Sequence, residues 1–119
     1  MLTIEDEKIY LTKGDDAAIE MTITDSEGQP YTMQEGDILT LTVRGLPDDS
    51  SPVLFAETSE TATIIIPSAD TSSLAVGEYS CDVQLTNAAG HRYTLYPTTL
   101  YSKVKNWKNF IIMPEVTYT

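Results

Sequence analysis

The chain has 119 residues, with 7 Lys and Arg against 18 Asp and Glu and a formal net charge of −11. The length suits one domain, residues 1–119, with an ordinary core, and the charge argues against a phosphate-backbone binder or an acidic membrane surface as partner. The acid excess is local: residues 1–60 hold 14 acids and 3 bases, and residues 61–119 hold 4 of each.

β-Branched residues make up 33 of the 119, and seven tyrosines add to them, a composition that fits pleated, half-buried surfaces. Period-2 alternation then recurs along the chain. Ala17, Ile19, Met21 and Ile23 point one way, and Ala18, Glu20, Thr22 and Thr24 the other. Residues 25–30 form a turn at Gly28. After Gly36-Asp37, Leu39, Leu41 and Val43 alternate with Thr40, Thr42 and Arg44. A polar loop over residues 45–52 leads to strands at 53–56 and 61–66, the second with Ile64-Ile65-Ile66 buried on both faces. Residues 67–74 supply one short helical turn near 68–74, with Ser68 as its cap candidate, ending before Gly77. Tyr79, Cys81, Val83 and Leu85 alternate with Ser80, Asp82, Gln84 and Thr86, and Asn87-Ala88-Ala89-Gly90 closes a hairpin into Tyr93 and Leu95. Strands at 98–104 and 110–116 finish the chain. In the last of these, Phe110 and Ile112 or Ile111 and Met113 form the inward set, since a one-residue slip exchanges them. Seven to nine short strands with regular turns and no long helix predict an all-β, antiparallel sandwich or barrel.

The residues offer little for catalysis. His91 is the single histidine and follows Gly90 in the hairpin loop, so an exposed turn residue is expected. Cys81 is the single cysteine, in register with apolar neighbours, and reads as a small core residue that cannot form an intrachain disulfide. One His and one Cys cannot build a zinc site, and the acidic turns at Asp15-Asp16, Asp25 to Gly28 and Asp48-Asp49 lack the spacing of a calcium loop. No glycine-rich phosphate loop is present. No base–nucleophile pair is visible either, so no catalytic residue, metal or other cofactor is expected. The N-terminus carries no secretory pattern, and no apolar run is long enough to span a bilayer, which predicts a soluble protein made inside a cell.

One cluster stands out. Tyr101, Lys103, Lys105, Trp107 and Lys108 join aromatic and basic character within eight residues. Aromatics with lysines can bind single-stranded nucleic acid, but the acidic domain lacks the required footprint. A solvated strand face with protective lysines is one reading, and a protein–protein contact is the other. In the second reading the strip would complement the acidic half of a neighbouring copy. Tyr93, Tyr96, Tyr101 and Trp107 also suit a carbohydrate-binding sheet face.

The order of motifs resembles the immunoglobulin-like N-terminal domain of phage baseplate upper proteins and related small prophage proteins. The residues that carry it are Lys13-Gly14-Asp15-Asp16, residues 25–31, Gly36-Asp37 with residues 38–44, residues 70–74, Gly77 to Val83, and Phe110 to Thr117. The resemblance implies an immunoglobulin-like β-sandwich without catalytic residues, made in the bacterial cytoplasm and carried in the virion tail. Its partners would be other virion or tail proteins and copies of itself, and not nucleic acid or membrane.

Overall fold

The computed structural model describes residues 2–5, 8–25, 27–45, 51–96 and 108–114. Among these residues nine strands and one short helix follow in chain order: β1 (Leu2–Glu5), β2 (Lys8–Thr12), β3 (Ala17–Glu20), β4 (Ile38–Arg44), β5 (Val53–Ser59), β6 (Thr63–Ile66), α1 (Ala69–Ser72), β7 (Gly77–Thr86), β8 (Arg92–Tyr96) and β9 (Phe110–Met113). The fold is all-β and sandwich-like.

One sheet holds seven strands in the order β1-β2-β9-β7-β4-β5, with β8 also on β7; the other holds β3 and β6. The pairings are antiparallel except β2 with β9, which run parallel. The core lies where the alternating apolar faces meet. Leu39, Leu41 and Val43 stand opposite Leu85, Val83 and Cys81, so six inward side chains of β4 and β7 share one face. Ile9 and Leu11 stand likewise opposite Phe110 and Ile112, all four buried. From the second sheet, Ile19 pairs with Ile64 and Ala17 with Ile66, and Ile64 and Ile66 are fully buried. Burial on this scale, roughly 1.5–3 kcal/mol for each large aliphatic side chain, is the main force holding the sheets together.

Several expectations need correction. Ile65 is 56% exposed, so β6 buries one face only. Among the described residues β6 pairs with β3 alone, and Ala18, Glu20 and Ile65 on the outward face of this pair are exposed. Ser68 makes no side-chain cap; its backbone is already helical, and its N–H donates instead to Asp16 Oδ1 at 2.7 Å. The strand from Ala17 stops at Glu20, although Ile23 beyond it remains buried. The inward set of β9 is Phe110 and Ile112. β1 and β2 were not expected, yet Ile9 and Leu11 alternate with Lys8, Tyr10 and Thr12 as β2 requires. The expected strand at 98–104 lies outside the described residues.

Two tight features position the ends of the sandwich. Gly36 has φ +89° and sits against the β7–β8 hairpin; a Cβ there would come within 2.7 Å of Ala88 Cβ. Only glycine fits both conditions. At the other end α1 is pinned by buried Thr71, whose Oγ1 accepts the Gly14 N–H at 3.0 Å.

Candidate interaction surface

β7 is long, and two strands share its edge away from β4. β9 pairs with Gly77 to Tyr79, and β8 pairs with Val83 to Thr86. The backbone of Cys81 falls in the gap between them. Asn109 fills it: its Oδ1 accepts the Cys81 N–H at 2.7 Å and its Nδ2 donates to the Cys81 carbonyl at 2.9 Å. The carboxamide thus supplies the donor and acceptor of a missing strand residue, which explains why an asparagine is buried to 1% exposure. Its main chain continues the same work, since Asn109 N donates to Tyr79 O and Asn109 O accepts from Ile9 N. One residue therefore joins β2, β7 and β9.

Beside it, the Tyr79 hydroxyl donates to Ala75 O at 2.6 Å and ties down the turn between α1 and β7. An aromatic hydroxyl closing this corner two residues before a core cysteine is a known device of sandwich domains.

The expected basic strip belongs to the connection between β8 and β9. Tyr101, Lys103, Lys105 and Trp107 lie outside the described residues. Lys108 is half-buried, and its Nζ donates to the Gly45 carbonyl at the end of β4, so this lysine is folded back on its own chain. The two described tyrosines of the carbohydrate reading are unlike one another. Tyr96 packs against the core, whereas Tyr93 is 52% exposed. Both stand opposite inward residues of β7, Val83 and Leu85, so neither lies on the outer face of the sheet.

A different surface comes from the topology. β5 ends the large sheet, and no described strand pairs with its outer side. It reads Val53-Leu54-Phe55-Ala56-Glu57-Thr58-Ser59, with no Lys and no Pro; what blunts the edge instead is a bulge and the single charge of Glu57. The register slips once, between Val43 and Arg44, leaving Leu54 as the extra residue of a bulge; from Phe55 to Ser59 pairing is regular. Val53 and Leu54 are 49% and 40% exposed, and Ala56 and Thr58 face solvent. Sequence reasoning missed this edge because a strand's place in a sheet is a long-range property.

The titratable groups support little chemistry. Cys81 is buried, and loss of solvation with Asp82 nearby pushes its thiol up, away from the reactive thiolate. His91 is exposed in its loop. Asp37 is buried to 3% and holds the turn before β4 by accepting the Tyr31 hydroxyl at 2.5 Å and the Gln34 N–H at 2.8 Å. The Tyr31 hydroxyl is raised by that hydrogen bond first, then by burial. Asp25 is spent on its own turn, accepting the N–H groups of Glu27 and Gln29. Among the described residues no three His, Cys, Asp or Glu side chains gather as a metal site, and no helix is long and apolar enough to cross a membrane.

These features define an all-β sandwich-like domain in which β5 is one of the strands whose outer side no described strand covers. No protein-family model matches the chain, and no curated protein matches it.

Proposed function

We propose that this domain is a non-catalytic assembly module of a phage or prophage tail, an immunoglobulin-like sandwich that works through protein–protein contacts. The observation that carries the assembly reading is the edge of β5, seven residues long and free of Lys and Pro. The phage context rests on the motif order, and the Tyr79–Ala75 corner supports the immunoglobulin-like part of it.

The occupant that fits the edge best is a second copy of the chain. Two β5 strands related by a twofold axis would pair antiparallel and bring Ala56 and Thr58 of each copy together. Neither carries charge, but the register that sets Ala56 opposite Thr58 also sets Glu57 opposite its own twin, so ionised glutamates would oppose this pairing. The mass of the full chain in solution, followed by light scattering over a wide concentration range, tests this. Dimers that form with concentration and vanish in Ala56→Lys support it; a strictly monomeric protein at high concentration overturns it. Tail and baseplate genes beside this one support the phage context, and their absence counts against it.

A further inference from the structure

The edge strand carries one charged residue, Glu57, on the wrong side for solubility. By register it stands opposite Leu41, on the core-facing side of the sheet, and it is half-buried. Its neighbour there is Asp70 in the first turn of α1. Asp70 Oδ2 is buried and receives no hydrogen bond from any ordinary donor. A buried carboxylate oxygen without a donor is costly, and the group that could supply one is the facing carboxyl.

We propose that the protonated Glu57 carboxyl donates to the Asp70 carboxylate and forms a carboxyl–carboxylate latch that fastens β5 to α1 and loosens when Glu57 gives up its proton. Three observations favour it. α1 cannot swing Asp70 away, because Gly14 N–H binds Thr71 Oγ1 and Asp16 Oδ1 binds Ser68 N–H on either side of it. β5 is an edge, hydrogen-bonded to β4 on one side only, so a side-chain contact from α1 adds to what β4 and β6 supply.

The third is that the β4 face beneath Glu57 is apolar. On the same face β4 presents Leu39, Leu41 and Val43; β6, packed beside β5, has no titratable residue; Arg44 projects from the opposite face of β4. Asp16 is occupied by Ser68, and Glu60 lies beyond the strand end. Among the described residues Asp70 is the charged group acting on Glu57, and the hydrogen bond to it, then burial, then its charge, raise the Glu57 carboxyl to about 7.

The sign follows. The folded state holds this proton more tightly than the unfolded chain, so the contribution to stability is complete in mild acid, below the ordinary glutamate value. It is lost as pH rises through about 7. From pH 5.5 to 8.5 the folding equilibrium constant falls by up to about thirtyfold on this account, and by about threefold where solvent screens the half-exposed pair.

The latch concerns how β5 is held and stands whether or not β5 is a docking edge. The test is urea unfolding of the full chain at pH 5.5 and 8.5, for wild type and Glu57→Gln, whose amide donates to Asp70 at any pH. A wild-type loss between the two pH values that shrinks by at least threefold in Glu57→Gln is expected; equal losses overturn the latch. NMR titration of the wild-type Glu57 side chain keeps the test open if the variant does not fold. A midpoint near neutrality that drops in Asp70→Asn supports the latch, and a midpoint below about 5 overturns it. Failure of the dimer with a surviving latch would reject the docking edge alone.

Discussion

Replacing Asn109 with alanine removes a side chain that acts as a strand residue. The substitution leaves the Cys81 N–H and C=O, bonded at 2.7 and 2.9 Å in the wild type, without partners inside the sheet. Each orphaned buried group costs about 1–3 kcal/mol, so the pair costs about 2–6 kcal/mol. Against a total of about 5–15 kcal/mol for a small domain, that is a large share of the stability. With a urea slope of about 2 kcal/mol/M, the midpoint should fall by about 1–3 M at unchanged slope. The main-chain bonds of Asn109 to Ile9 and Tyr79 survive the change, so the fold itself should persist. Asn109→Asp sharpens the test. It keeps an acceptor for the Cys81 N–H but sets a second oxygen against the Cys81 carbonyl. It should destabilise at pH 7 at least as much as alanine. Burial beside that carbonyl raises the folded-state value of the new carboxyl, so stability relative to wild type should return as acid protonates it and restores a donor. A loss below about 1 kcal/mol in Asn109→Ala would refute the surrogate-strand argument.

Tyr79→Phe removes only the hydroxyl that binds Ala75 O, at an exposed site, and should cost about 0.5–1.5 kcal/mol in the same urea assay; no measurable loss would mean that the corner is held by packing alone. Cys81 should resist a thiol reagent at pH 8 in the native protein and react at the rate of unfolding, because the thiol is buried and held protonated. Fast labelling of the folded chain would contradict its place in the core.

Much of the architecture was legible because it is local. The alternations at 39–43 and 79–85 have the period of a half-buried strand, and each face emerged as read, down to Cys81 among the apolar set. The helical turn was visible because a short polar run that ends before Gly77 carries its own geometry. What escaped notice depends on partners far away in sequence. β2 is short and lies next to an acidic N-terminus, and its identity comes from Phe110 and Ile112 a hundred residues later. Three consecutive isoleucines do not reveal that one of them faces solvent, since that is decided by a sheet with only two strands. Asn109 carries no local signal of its role, and nothing in its neighbourhood announces a gap in the ladder of β7. The same holds for Glu57 and Asp70, thirteen positions apart, which meet only because β5 and α1 cover the same end of the core.

The parallel pairing of β2 with β9 also has a consequence for synthesis. β9 lies between β2 and β7 in the large sheet, so a strand made near the end of the described chain separates one made at its beginning from the strands made in between. As the chain leaves the ribosome, β4 to β7 can find one another early, but β1 and β2 have no seat until Met113 has emerged. Through that interval Ile9 and Leu11 remain without their partners in the core. Assembly of the described sheet is therefore closed by β9, and the nascent chain must keep the β1–β2 hairpin waiting until then.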